Sequence, residues 1–139
     1  MLLRNILPRY SWLLALVMML GLNSSAGAES KTLYWKQYHT TITVQVNGDL
    51  AIEETQTIQF TAGTFTYGYR TIPATKTDGI SDVQIWEGTR QYTQSSSRQP
   101  YTFSVSREGD DLQVYWYFPE TGPSEHIFSF RYTVLGGVK

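Results

Sequence analysis

The amino-acid sequence predicts an all-β protein, an antiparallel β-sandwich preceded by a cleavable signal peptide. Three observations predict it. After residue 28, apolar and polar residues alternate with period two in nearly every segment, and helical periodicity is nearly absent. Turn sequences separate these segments at regular spacing. A short apolar run near the N-terminus ends in a small-residue cleavage site.

Residues 1–28 have the composition of a signal peptide. Two arginines give a positive start, an eleven-residue apolar run covers 12–22, and Ala26 and Ala28 occupy the positions that signal peptidase reads. A membrane-spanning helix needs about twenty apolar residues, so this run is short for a span. We therefore expect cleavage after Ala28, with a retained N-terminal anchor as the alternative.

Size and composition limit what the remaining domain, 29–139, is able to do. Removing 28 of the 139 residues leaves 111, which is enough for one compact domain. Nine basic and twelve acidic residues remain, a net charge of −3 with no basic cluster, so nucleic-acid binding is not expected. Cysteine is absent, which excludes disulfides and thiolate metal sites. The domain must be stabilised by its apolar core.

A β-hairpin opens this domain. Ile42, Val44 and Val46 alternate with polar residues and form the first strand. Asn47-Gly48-Asp49 then turns the chain, because asparagine and glycine tolerate positive φ. The return strand is long and runs from Leu50 to about Thr61.

Further strands follow at short intervals. An aromatic strand ends at Pro73, which lacks the N–H of a central strand. A serine-rich stretch at 91–99 is expected to be a solvated loop, and Pro119 and Pro123 to bound another. The later strands are expected near 80–86, 101–105, 112–118 and 128–134. Six or seven short strands indicate a sandwich of immunoglobulin-like size.

Glu54 is the unusual residue of the return strand. Alternation places it on the same face as Ile52 and Ile58. A carboxylate on an apolar face is costly unless it is paired, and Arg70 is the nearest strong partner in the sequence. We expect an ion pair that links two strands and braces the fold. A binding or switching site is one alternative, and a β-bulge that turns Glu53 and Glu54 to solvent is another.

Two short motifs around these residues resemble a known family. They are Gly48-Asp49-Leu50-Ala51-Ile52-Glu53-Glu54 and Phe65-Thr66-Tyr67-Gly68-Tyr69-Arg70-Thr71-Ile72-Pro73, with Phe60 between them. They are similar to the opening, extracytoplasmic region of predicted bacterial membrane proteins catalogued as domain of unknown function 2207. Ile52 stands where the family has valine, and the spacing before Arg70 is one residue tighter than the commonest form.

The resemblance covers residues 35–139 and implies location rather than chemistry. Members have a signal segment, an exported β-rich region and then transmembrane helices, with no established activity. A strand that ends at Leu135 and is followed by Gly136-Gly137 predicts a domain truncated at its C-terminal end. The expected location is the cell envelope, membrane-associated in a longer protein, or secreted. The expected partners are downstream domains or membrane segments of that longer protein.

One strand concentrates aromatic residues. Trp116 is predicted to face one side, and Tyr115 and Tyr117 the other. The tyrosine face, with Trp86 or Tyr101 nearby, is a candidate surface for stacking on sugars or anchoring a cell-surface protein. Burial between the sheets, or against a following domain, is the alternative.

Catalytic and metal-binding patterns are absent from the sequence. His39 and His126 lie far apart, and there is no His-Glu-x-x-His, Gly-x-Ser-x-Gly or phosphate-loop motif. Adjacent acidic residues in a strand point to opposite faces and do not form a glycosidase pair. A calcium site built from Asp78, Asp82 and loop carbonyls stays open as an alternative, although the sequence lacks EF-hand spacing.

The sequence therefore predicts a non-enzymatic exported β domain of a membrane protein, with no cofactor. Its predicted role is to pack against later domains or to bind a cell-surface partner. The alternative is a secreted carbohydrate-binding module that uses an exposed Tyr/Trp face.

Overall fold

The computed structural model describes residues 29–138, which form an all-β structure. No helix in this part of the chain is long and apolar enough to cross a membrane. The predicted signal peptide and its cleavage site at Ala26 and Ala28 lie outside the described residues. The strands are β1 (Thr32–Val44), β2 (Leu50–Ala62), β3 (Phe65–Ile72), β4 (Gly79–Glu87), β5 (Arg90–Gln91), β6 (Thr93–Gln94), β7 (Thr102–Glu108), β8 (Asp111–Thr121) and β9 (Ser124–Leu135).

The strands form two sheets, which confirms the predicted sandwich. One sheet has five strands in the order β1-β2-β9-β4-β5, and the other has four in the order β3-β8-β7-β6. The pairs are antiparallel, apart from the short parallel pair of β6 and β7. Strand β1 forms one edge of the first sheet and β3 one edge of the second, and the short strands β5 and β6 form the other two edges.

The core lies between the sheets and is rich in rings. Alternate residues of β2, β8 and β9 point inward, as period two requires. The Trp116 ring lies edge-on to Phe128 and Phe130, with centroids 5.7 and 4.9 Å away, a favourable aromatic arrangement. Burial of these side chains supplies stability that a chain without cysteine does not obtain from disulfides.

The apolar face of β1 is exposed although it continues the inner face of its sheet. In the antiparallel register Ile42 pairs with buried Ile52, so the two side chains lie on the same side of the sheet. Ile42 is nevertheless 59% exposed, and Val44 is 62% exposed. The four-stranded sheet ends at β3, and no described residue covers this end of β1.

Two predicted loops are more ordered than expected. The stretch 91–99 contains β6 and the buried Tyr92, whose hydroxyl donates to Glu87 Oε2 at 2.7 Å. This bond satisfies the only polar atom of the Tyr92 ring, so the ring is buried at little cost. Pro119 lies within β8 rather than in a loop. It is tolerated there because the pairing with β7 stops at Tyr117.

Candidate functional site

Glu54 lies inside the sandwich, where alternation along β2 places it. It is 4% exposed, and its neighbour on the same face, Gln56, is 5% exposed. The ladders on both sides of β2 run in regular register through this region, so no bulge turns the two glutamates to solvent. Glu53 points to the outer face instead and pairs with Arg131 at 3.0 Å. The β-bulge alternative is therefore wrong.

Arg70 reaches Glu54 from the opposite sheet. Its Nη2 donates to Glu54 Oε1 at 3.2 Å, and its Nη1 contacts Oε2. Arg70 is on the inner face of β3 because its register partner in β8 is the buried Val114. The ion pair thus joins two sheets, not only two strands.

Two tyrosine hydroxyls complete the hydrogen bonding of Glu54. Tyr132 donates to Oε1 at 2.7 Å, and Tyr38 donates to Oε2 at 2.9 Å. The Arg70 guanidinium also lies 5.7 Å from the ring centroid of Phe130, within cation–π range. Burial raises the pKa of Tyr132, and the positive charge of Arg70 opposes that rise. With both carboxylate oxygens accepting hydrogen bonds, the arrangement is suited to bracing the sandwich rather than to chemistry.

Neither tyrosine is anticipated by the sequence reasoning. Tyr38 reaches the inner face because β1 has a register shift between Trp35 and Gln37. Tyr132 is brought beside Glu54 by the pairing of β2 with β9, 78 residues further along the chain. Alternation along each strand suggests the inward direction, but it does not indicate which inward residues meet.

Tyr115 and Tyr117 share the outer face of the four-stranded sheet with two tyrosines of β3. The Tyr67 ring lies 6.5 and 6.2 Å from the rings of Tyr115 and Tyr117, and Tyr69 stacks on Tyr115 at 5.7 Å. Tyr67 and Tyr69 are 51% and 64% exposed. An open groove of about 820 Å³ runs beside this tyrosine face. Sequence analysis missed Tyr67 and Tyr69, although their alternation with Gly68 was a usable signal.

Trp86 and Tyr101 are not part of this tyrosine face, so the structure corrects the predicted grouping. Trp86 belongs to β4 in the other sheet, and the Arg131 guanidinium lies 4.8 Å from its ring. Tyr101 has a positive φ of 65° just before β7. Its ring meets Tyr92 edge-on at 5.7 Å and carries the Arg90 guanidinium at 4.1 Å.

A second polar cluster, also missed by the sequence reasoning, lies at the start of β9. Glu87 Oε1 is 2.5 Å from His126 Nδ1, and His126 Nε2 is 3.1 Å from the Ser124 hydroxyl. The order resembles a serine–histidine–carboxylate triad. The Ser124 hydroxyl also lies 2.9 Å from the Gly122 carbonyl oxygen and 2.8 Å from the Thr121 hydroxyl, so three hydrogen-bond partners hold it within the turn between β8 and β9. The cluster therefore braces the turn between β8 and β9.

Metal ligands do not cluster in the described part of the chain. Among residues 29–138, no group of three or more His, Asp or Glu side chains is placed to hold a metal ion. Asp82, one of the two aspartates considered for calcium, accepts a hydrogen bond from the Ser81 hydroxyl at 2.8 Å.

Together these features define a β-sandwich domain with an ion pair joining its sheets and with aromatic outer surfaces. The chain belongs to the family described as the predicted membrane protein (DUF2207) N-terminal domain, whose sequence model matches residues 34–139. The family assignment suggested by the two motifs is thus confirmed, and the family has no known function.

Comparison with other proteins adds little beyond the family. No curated protein matches the chain. Among solved structures, the chain is similar to the backbone protein of pilus 2b from group B streptococcus, with a TM-score of 0.45 and 12% sequence identity. The match covers 70% of this chain and 43% of that one, so the chain spans less than half of the pilus protein.

Proposed function

We propose that this chain is a non-enzymatic, extracytoplasmic β domain of a membrane protein. Its role is to pack against later domains of that protein or to bind a cell-surface partner. The membrane-protein family supports the location. The main support for the proposed role is that the apolar inner face of β1 is exposed.

That face consists of five side chains between 38% and 62% exposed, which are Leu33, Trp35, Tyr38, Ile42 and Val44. Scattered exposed apolar residues are ordinary, but a row along one face of one strand, interrupted here only by Thr40, is typical of an interaction site. Most residues on the other face of the same strand are polar, such as Thr41 and Thr43, with Tyr34 as the aromatic exception. The alternation therefore fits a strand whose inner face is covered in the working protein.

The absence of cysteine allows one labelling experiment to test both location and covering. Thr41→Cys places a thiol on the outer face of β1, and Ile42→Cys places one on the inner face. A membrane-impermeant maleimide should label Thr41→Cys in intact cells. Ile42→Cys should react readily in the purified chain but at least about tenfold more slowly in cells, because a covered site reacts only through local opening.

Two results would contradict the proposal. If Thr41→Cys reacts only after lysis, the domain is not exported. If Ile42→Cys reacts equally fast in cells and in the purified chain, the inner face of β1 is not covered. Both substitutions are at exposed positions, so each variant should fold with a stability change within about 0.5 kcal/mol of wild type.

Carbohydrate binding is the second candidate, and the tyrosine face favours it. Four tyrosines of β3 and β8 lie within ring-contact distance on a sheet surface beside an open groove. Serine hydroxyls of β7, at Ser104 and Ser106, line the same groove. Rings that stack on sugar faces beside hydrogen-bonding hydroxyls are a suitable surface for a polysaccharide chain.

Retention on insoluble polysaccharides, such as cellulose and chitin, tests this second function. Tyr115→Ala and Tyr117→Ala should each weaken retention about three- to tenfold, as expected for the loss of one ring contact. Tyr34→Ala is the control, because Tyr34 is 52% exposed but belongs to the other sheet. Equal retention of the wild type and the two β8 variants would rule out this surface as a glycan site.

A further inference from the structure

An apolar groove, here called the edge groove, lies between the edge strands β1 and β3. It has a volume of about 640 Å³. Its sides are formed by Leu33 and Trp35 of β1 and by the segment 65–71 of β3. Trp116 and Phe118 of β8 line it toward the core. The groove is thus an opening into the interior of the sandwich.

The geometry of the two edges favours an extended strand as the occupant. An edge strand presents a row of unpaired backbone N–H and C=O groups, and another chain pairs with them by strand addition. A strand added beside β3 would extend the four-stranded sheet over the inner face of β1, because the two edge strands border the same groove. Its alternate side chains would then face Leu33 and Trp35.

The interior side of the groove is closed by Gly68 of β3 packed against the Trp116 ring. Trp116 is 4% exposed, and its Nε1 is the buried side-chain atom that has no hydrogen-bond partner among residues 29–138. Gly68 lies directly over this ring, since a Cβ at residue 68 would be 2.3 Å from Trp116 Cζ2. The glycine and the indole both line the groove.

The charges around the groove favour an acidic occupant. Lys31 and Arg70 line it, whereas no Asp or Glu of the described residues does. Glu54 compensates the charge of Arg70 from below, which leaves Lys31 as the uncompensated charge of the lining. The Lys31 Nζ lies 5.6 Å from the ring centroid of Phe65 at the groove's side. A carboxylate at this end of the groove would therefore be favoured.

From the apolar lining, the free strand edges and the charges, we propose that the edge groove binds an extended peptide segment of a partner polypeptide. The segment adds to β3 as a further strand and packs alternate apolar side chains against Leu33 and Trp35. A carboxylate on the segment lies near Lys31. This inference deepens the proposed function, on which it rests, by naming the surface and the chemistry of the partner.

Selection from random peptides tests the binding mode without knowledge of the natural partner. Peptides of eight residues, the length of β3, are selected for binding to the purified chain. The selected sequences should alternate apolar and polar residues and contain Asp or Glu at a constant position. N-methylation of alternate amides should weaken binding at least about tenfold, because strand addition depends on backbone hydrogen bonds. Backbone amides of β3 should exchange hydrogen more slowly when the peptide is bound.

Two adjacent residues of β1 provide a matched pair of variants. Trp35→Glu places a negative charge in the groove, and Tyr34→Glu places it on the opposite face of the same strand, with the wild-type residues 56% and 52% exposed. Trp35→Glu should weaken binding of the selected acidic peptides at least about tenfold, and Tyr34→Glu should leave it nearly unchanged. Lys31→Glu should change the preference of the groove from acidic to basic peptides. This variant provides the test if Trp35→Glu does not fold.

Several outcomes would overturn the inference. They are a selection without alternation, binding that survives N-methylation, and equal weakening by Trp35→Glu and Tyr34→Glu. Self-association that Trp35→Glu abolishes and Tyr34→Glu retains would identify a second copy as the occupant instead. Cysteine labelling measures export and the covering of Ile42 in cells, whereas peptide selection measures binding to the edge groove of the purified chain. The two proposals therefore fail separately.

Discussion

Replacement of Arg70 by methionine is expected to lower the free energy of unfolding by about 3–5 kcal/mol. The cost arises because Glu54 is 4% exposed and would keep its negative charge without a cationic partner. The hydroxyls of Tyr38 and Tyr132 would still donate to it, but they carry no charge to offset the desolvation. Urea unfolding of the purified variant measures the change.

A double-mutant cycle separates the ion pair from the side chains that form it. Glu54→Gln alone leaves the Arg70 charge 20% exposed within the sandwich and should also be destabilising. The double variant, Glu54→Gln with Arg70→Met, leaves neither charge, so its cost should be smaller than the sum of the single costs by up to about 3 kcal/mol. Additive single costs would refute the pairing as a source of stability.

The exposed pair on the outer face of the same strand provides the control. Arg131 and Glu53 are joined at 3.0 Å, but their side chains are 55% and 51% exposed. Arg131→Met should therefore cost less than about 1 kcal/mol. If Arg131→Met and Arg70→Met lower the free energy of unfolding equally, burial does not increase the contribution of the inner pair to stability.

Much of the fold and part of this site follow from local sequence patterns. Period-two alternation along β2 gives the inward direction of Glu54, and a carboxylate in that position requires a cation. Arg70 is 16 residues away, just beyond the next turn, and the structure brings the two together. The face to which each strand residue points, the positions of the turns and the family motifs are all properties of short stretches of chain. The sandwich and the family assignment, both confirmed, rest on them.

What depends on long-range pairing was not predictable in this way. Tyr132 meets Glu54 because of the register of β2 with β9, and His126 meets Glu87 across 39 residues. The grouping of Trp86 with the tyrosines failed because no local pattern indicates which sheet β4 joins. Register and sheet membership are set by packing of the whole domain, and one sequence does not contain them as a local signal.

Gly68→Ala is the other substitution with a large expected effect, about 3 kcal/mol of destabilisation. Gly68 lies on the inner face of β3, opposite Trp116 in the register. A Cβ built there would be 2.3 Å from Trp116 Cζ2 and 2.5 Å from Cε2. The ring has little room to move, because it is buried and packs on Phe128 and Phe130. Gly122→Ala is the control, because nothing lies within 4 Å of a Cβ at that position.

A second substitution tests whether the indole is the cause. Trp116→Phe removes the part of the indole that the new methyl group would meet, around Cζ2 and Cη2, together with the unpartnered Nε1. Alone it should cost about 1–3 kcal/mol through lost packing, offset in part by removal of the buried donor. Combined with Gly68→Ala, it should cost clearly less than the two single changes together, because the methyl group then fills space that the indole leaves.

If thermal or urea unfolding shows additive costs, or if Gly68→Ala is tolerated as well as Gly122→Ala, the glycine is not required by contact with Trp116. Its place in the motif would then need another explanation, such as approach of a bound strand to the edge groove.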